Sequence, residues 1–309
     1  MTATVVPCLG FTSPAETITS QKELHDKIMK IQRKKLRKCG AMDVKRPFVI
    51  KTQLVSPDSS GKWTGGDENA TSNEEKVHTK IIHFQRHGQG YHNFIGNTWR
   101  ELGKTVDIDS SDPDKNPFVH PEVLDAPLTA LGRQEAIEKR SVAALMNPDL
   151  IIVSPLHRAI QTAHFSFADH RSRVPWIAHE GCREDLGFLV CNKRRPLSQT
   201  KEEFPYIDFS YVVSGEEDTL FKHEEMECLL AQADRVYDFL ANFVRTRPEQ
   251  EIAVVGHSAW LFNMCNAVVE CNGDENLMAW FGTSEIRSMR VSFIESSSMS
   301  SKECKTCDW

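Results

Sequence analysis

Ile81-Ile82-His83-Phe84-Gln85-Arg86-His87-Gly88 decides the fold. A short apolar run stops abruptly at an Arg-His-Gly triplet, and Asn93 follows six residues after His87. Such a run has the length of a buried strand rather than of a core helix. Gly88 lets the backbone turn and come close to a ligand at the strand end. In open α/β sheets the carboxyl ends of strands are where ligands bind. An Arg and a His at that place suit a phosphate. The guanidinium grips it through charge-assisted hydrogen bonds, and a neutral imidazole nitrogen can attack it.

Downstream, the same pattern recurs. Asp149 to Val153 reads as a second buried strand, ending in Ser154-Pro155-Leu156-His157-Arg158-Ala159 with Gln161-Thr162-Ala163 beyond. Pro155 suits the first position of a helix, which places Arg158 one turn inside it. Val174 to Ala178 is a third strand, followed by His179-Glu180-Gly181-Cys182-Arg183-Glu184-Asp185-Leu186-Gly187. Ile252 to Val255 is a fourth and ends in Gly256-His257-Ser258. Between them lie helical segments: about 94–102, Thr129-capped to about Met146, 198–203, and Phe221 to Thr246 with Pro248 closing it. A last strand spans 286–293. Strand and helix alternate, which predicts an α/β three-layer sandwich, a mostly parallel sheet with helices on both faces.

The chain has 309 residues and a net charge of -6, with 40% apolar residues, enough for a real core. No apolar run reaches the length of a membrane span, and without a Lys-flanked apolar stretch at the start a secretory signal is not expected. Nine scattered Cys fit reduced thiols and a cytoplasmic or nuclear setting. Cys304 and Cys307 form one C-x-x-C in a Ser-rich tail, expected as solvated chain over a zinc site. Residues 1–80 carry 14 basic against 9 acidic side chains, so the remainder holds about eleven surplus negative charges. That acidic body speaks against bulk nucleic-acid binding. A helix over Gln21 to Lys38, ended by Gly40, should turn Leu24, Ile28 and Ile31 to one face. Its basic run, Gln32 to Lys38, is expected as a solvated face over a targeting or membrane-surface segment. Residues 56–76 have linker composition. The expected organisation is therefore an N-terminal extension over 1–76, a folded domain over 77–295 and a disordered tail over 296–309.

Arg86-His87-Gly88 with Asn93, Pro127-Leu128-Thr129 with Gly132, Ser154-Pro155 with Arg158-Ala159 and Thr162-Ala163, and Gly256-His257-Ser258 occur in this order. The chain thereby resembles the histidine phosphatase superfamily, in its phosphoglycerate-mutase-like branch, over roughly 77–293. The resemblance implies that His87 is the nucleophile and forms a phosphohistidine. It implies that Arg86, Arg158 and His257 close the phosphate pocket, and that Asn93 adds a hydrogen bond to the phosphoryl oxygens. It places the general acid on a carboxylate after the third strand, carried by position onto Glu184, with Glu180 and Asp185 as rivals.

The residue chemistry agrees. Two guanidiniums and a second imidazole offset the charge of a phosphoryl group in transfer without metal or cofactor. The leaving alkoxide needs a proton from a carboxylic acid kept protonated by burial or neighbouring negative charge. Gln85 and Gln89 depart from common family choices. Gln89-Gly90-Tyr91-His92-Asn93 together with Cys191-Asn192-Lys193-Arg194-Arg195 resembles a phosphatase-like subgroup more than the glycolytic mutases. His92, His157 and His179 are expected to support the site or the fold. Lys193, Arg194 and Arg195 read equally as a second anion contact or a solvated basic loop. The expected activity is a metal-independent phosphomonoesterase acting on a small phosphorylated metabolite or a phosphoprotein. The rivals are a mutase and a weakly catalytic phosphate-binding scaffold. Oligomeric state is not legible.

Overall fold

The structure, a computed structural model, describes residues 14–58, 63 and 77–296, with side chains from residue 26 onward. Most of the expected linker, the tail and Cys304 and Cys307 lie outside the described residues. Eight strands form one sheet: β1 Phe48–Leu54, β2 His78–Arg86, β3 Leu150–Val153, β4 Trp176–His179, β5 Asp208–Tyr211, β6 Glu251–Gly256, β7 Val269–Glu270 and β8 Ile286–Glu295. Their spatial order is β5-β4-β3-β6-β2-β8-β1-β7. Only β8 runs against its neighbours, β2 and β1; every other pairing is parallel. The α-helices are α1 Pro14–Lys38, α2 Tyr91–Glu101, α3 Ala130–Glu138, α4 Arg140–Ala143, α5 His157–Ser166, α6 Leu197–Glu203, α7 Leu229–Asp238, α8 Ser258–Asn263 and α9 Glu275–Met278.

Side-chain alternation along the central strands explains the layering. Ile82, Phe84, Ile152 and Val254 face one way, onto Leu240, Trp260 and Leu261 of the helical layer built by α7 and α8. Ile151, Val153, Ala253 and Val255 face the other way, onto Ala143, Ile160 and Ala163 of α4 and α5. All four residues of β3 are buried, as a strand covered on both faces requires. The result is the three-layer α/β architecture expected. β2, β6 and β3 are adjacent and parallel, with Arg86 opposite Gly256 and Val153 opposite Val255. The three chain segments that end in Arg, Ser-Pro or His therefore leave the sheet side by side.

Four expectations change. The folded body begins well upstream of residue 77: β1 pairs with β8 over its whole length, and Ile50 and Thr52 are buried. Helix α1 also packs inward, but through Leu36 and Met29, while Ile31 is 48 % exposed. Arg33 on this face donates to Asn266 and Glu275, which sets the helix rotation. The long helix expected from Phe221 begins at Leu229 and continues as a π-helical turn over Phe239–Val244. Residues 222 and 227 instead bond the backbone of Gly187 and Leu186, so their amides are satisfied across the chain, not along a helix. Helix α5 starts at His157, after Pro155, so Arg158 stands in its first turn.

Candidate active site

The Arg86-His87-Gly88 turn is held by its own backbone. The His87 N–H donates to Gly256 O, the Gly88 N–H to Thr162 Oγ1 and the Gln89 N–H to a Glu135 carboxylate oxygen. Gly88 and Gly132 make a close backbone contact. A Cβ on Gly88 would lie 2.4 Å from Gly132 O, and one on Gly132 would lie 2.1 Å from Gln89 O. Thr129, whose Oγ1 accepts the Gly132 N–H, fixes the start of α3 against this turn. The Pro-Leu-Thr and Gly132 pattern thus serves to seat the turn.

His87 is buried, with 1 % exposure. Its Nδ1–H donates to Gly88 O at 2.6 Å, and Arg158 Nε–H donates to its Nε2 at 3.3 Å. Those two bonds select one tautomer: proton on Nδ1, lone pair on Nε2. Burial, then the charges of Arg158 and Arg86, hold the His87 pKa well below its ordinary 6.5. The imidazole is therefore neutral and carries its lone pair toward a guanidinium. Arg158 is fully buried, and its terminal nitrogens donate to Cys191 O and Asn192 Oδ1. Arg86 donates to Phe281 O, and burial draws its pKa down to about 10, so it stays charged at neutrality. The His257 ring lies 5.1 Å from the His87 ring and pairs through Nε2 with Ser154 Oγ at 2.7 Å. Burial and Arg158 keep His257 neutral as well.

Glu184 reaches the same place. Its carboxylate accepts from Ser258 Oγ and from the Ala259 and Trp260 N–H groups at the start of α8. Its charge bears on both Arg86 and Arg158. The neighbouring Asp185 points toward α7 and accepts from Gln232. Burial, with Glu184 and Glu227 close by, pushes Asp185 up to about 8. A proton is thus held on Asp185 near neutrality. Glu180 is engaged elsewhere. It accepts from Arg183, which makes a two-pronged pair with buried Asp218, and it also accepts from Ser214.

His87, Arg86, Arg158, His257 and Glu184 are therefore brought together. Asn93 is half-buried on α2, and its Oδ1 accepts the Gly90 N–H; only its amide nitrogen is left to meet a phosphoryl oxygen. The basic loop is largely engaged within the fold. Arg194 is buried and donates to the carbonyls of Arg195, Gly215 and Glu216; Arg195 pairs with Glu203; Lys193 stands over the Phe221 ring. Two residues beyond the motif count for more than the sequence suggested. Asn192 ties Arg158 to the Asp185 carbonyl, and the His92 ring sits 5.4 Å from His87. A groove of about 520 Å³ along the outer side of α2, lined by Tyr91, Phe94, Glu101 and Leu131, contains none of the candidate residues. Among the described residues, no group of three or more His, Cys, Asp or Glu is placed to hold a metal ion.

Two guanidiniums and two neutral imidazoles surround one buried point, with two carboxyl groups at its edge, at the carboxyl ends of parallel strands, an arrangement suited to holding a phosphoryl group. Comparison with known proteins shows the family. The model of the histidine phosphatase superfamily (branch 1) matches residues 120–284, a span that holds Arg158, Glu184 and His257, with His87 upstream. Phosphoglycerate mutase-like protein 1 of Arabidopsis thaliana is 32% identical over 245 residues, covering 69% of this chain and 81% of that protein. A second Arabidopsis thaliana relative, a phosphoglycerate mutase-like protein, is 31% identical over 245 residues, covering 69% and 84%. A mycobacterial glucosyl-3-phosphoglycerate phosphatase superposes with a TM-score of 0.41 at 19% identity, covering 68% of this chain and 89% of that one. The chain belongs to the histidine phosphatase superfamily, branch 1.

Proposed function

We propose that this protein is a metal-independent phosphomonoesterase that works through a phosphohistidine at His87, on a small phosphorylated metabolite or a phosphoprotein. One observation carries the reading: His87 Nδ1–H is tied to Gly88 O while Nε2 faces the Arg158 guanidinium. Attack needs an unprotonated ring nitrogen held at a fixed position, and the tautomer with its proton on Nδ1 supports Nε2 in that role.

In the first half-reaction His87 Nε2 forms a bond to phosphorus as the ester P–O bond breaks. Arg86, Arg158 and His257 stabilise the charge on the equatorial oxygens. Glu184 gives its proton to the leaving alkoxide. In the second half-reaction Glu184 takes a proton from water, whose oxygen attacks phosphorus, and the P–N bond breaks. Inorganic phosphate leaves and His87 returns to its neutral form. Glu184 is favoured over Glu180 because Glu180 is bound to Arg183 and Ser214. It is favoured over Asp185 because the Asp185 carboxyl is turned to Gln232.

The test is hydrolysis of 4-nitrophenyl phosphate by the wild type with and without chelator, together with His87→Ala. Expected are activity indifferent to chelator, loss of turnover in the variant and acid-labile label on His87 after a quench with labelled substrate. Chelator-sensitive turnover, or turnover surviving in His87→Ala, refutes the mechanism. Phosphoryl return to a second oxygen of a primed monophosphate would assign a mutase instead.

A further inference from the structure

His92 is not part of the centre as described, yet its ring is 8 % exposed and packs between parts of that centre. Its centroid lies 5.4 Å from that of His87, and the edge of Phe118 closes its other side at 6.3 Å. Gly90 makes room for it. A Cβ there would stand 2.7 Å from the His92 ring and 3.4 Å from Arg158 Cδ, so the imidazole and the guanidinium stem meet over this glycine. His92 Nδ1 is buried and has no hydrogen-bond partner among the described residues. Two other buried nitrogens of the same cluster share that condition, Arg86 Nε and His257 Nδ1.

A buried polar atom without a partner is costly, so three of them around one nucleophile call for a common explanation. Arg158, His87 and Arg86 all bear electrostatically on His92, and with burial they hold it neutral. A neutral imidazole beside two guanidiniums is a hydrogen-bond donor that adds no charge to an already cationic pocket. Its natural partner is an oxygen of a tetrahedral oxyanion held by those guanidiniums.

We infer that His92 is a third imidazole of the phosphate site, its Nδ1–H donating to an oxygen of the phosphoryl group bound against His87 Nε2. This rests on the phosphohistidine reading above and extends it by one ligand. The contact exists before and during transfer, so it acts mainly on substrate binding.

Inorganic phosphate is the probe. Its binding is measured by calorimetry on the full chain for wild type, His92→Phe and His92→Asn, alongside 4-nitrophenyl phosphate kinetics. Phe keeps a ring and removes both nitrogens, whereas Asn keeps a polar atom near the place of Nδ1. Phosphate binding in His92→Phe should weaken about tenfold or more, the loss of one hydrogen bond to a charged group. KM should rise with it while kcat changes little. His92→Asn should recover most of both. His92→Leu serves as the nitrogen-free variant if His92→Phe does not fold.

Phosphate affinity and KM unchanged in the nitrogen-free variant overturn the inference. So does His92→Asn as impaired as His92→Phe, which would make the ring a packing element only. Where wild type still forms phosphohistidine, these outcomes remove His92 alone. A wild type that neither binds phosphate nor labels on His87 removes the proposed function and this inference together.

Discussion

Asp185→Asn should make the protein more stable at alkaline pH, by an amount that grows with pH. Asp185 has its pKa raised from 3.8 to about 8 by burial and by the charges of Glu184 and Glu227. In the unfolded chain it loses its proton near its ordinary value. Between those two points the folded state binds one proton more than the unfolded state, so folding stability falls as pH rises. At about 1.36 kcal/mol per unit, the displacement corresponds to an upper bound of about 6 kcal/mol, all of it present above the folded pKa. Asp185 is partly open to solvent and shares its field with Glu184. Screening of that kind brings the working figure to about half, ~3 kcal/mol.

Asn keeps an oxygen for Gln232 Nε2–H and cannot ionise. Urea unfolding of wild type and variant at matched pH isolates the effect of this carboxyl and its coupled neighbours, because titrating groups away from Asp185 cancel in the difference. From about pH 5 to about pH 8.5 that difference should move by about 2 kcal/mol in favour of Asp185→Asn. A difference that stays flat with pH, or that moves the opposite way, refutes the argument that this carboxyl is protonated in the folded state.

Gly88→Ala drives a Cβ into Gly132 O and must displace the His87 turn; stopped assays should show at least about 100-fold loss in kcat/KM, with about 1–3 kcal/mol lost in urea melts from overpacking. Glu184→Gln removes the proton donor but keeps acceptor capacity toward α8. Its kcat should fall about 10²–10⁴-fold on an alkyl phosphate and much less on 4-nitrophenyl phosphate, whose leaving group needs little protonation; equal losses on both would move the role to another group. Leu36→Ala empties a fully buried position under α1 and should cost about 2–5 kcal/mol of stability, read by thermal melting. No change there would mean that α1 contributes nothing to the fold.

The central strands were legible because each is short, apolar and stopped by a polar turn, and being covered on both faces they read as continuous apolar runs. Strand β1 was not, although Phe48–Leu54 alternates: Lys51 and the basic residues around it dominate the window, and its stabilisation comes from β8, more than two hundred residues away. Non-local pairing of that kind leaves little local signal. The false start of the long helix at Phe221 has a related cause. Met226 fits the apolar period, but the backbone of Glu227 is committed to Leu186, and tertiary pairing overrides the helical pattern.

The site divides along the same line. Arg86, His87, Arg158 and His257 were readable because each ends a strand or opens a helix, positions that the chain order itself marks. What holds them was not. Thr162 under Gly88, Ser154 against His257 and Asn192 across Arg158 are single polar side chains whose spacing to their partners is set by the sheet order. The basic loop shows how composition misleads. Three consecutive cations look like a surface feature, yet Arg194 is buried because Ser214, Gly215 and Glu216 present acceptors to its fork. His92 was expected only to support the site or the fold. It lies on a helix beside a recognisable motif, and its packing follows from Gly90, whose missing side chain lets that ring close on Arg158.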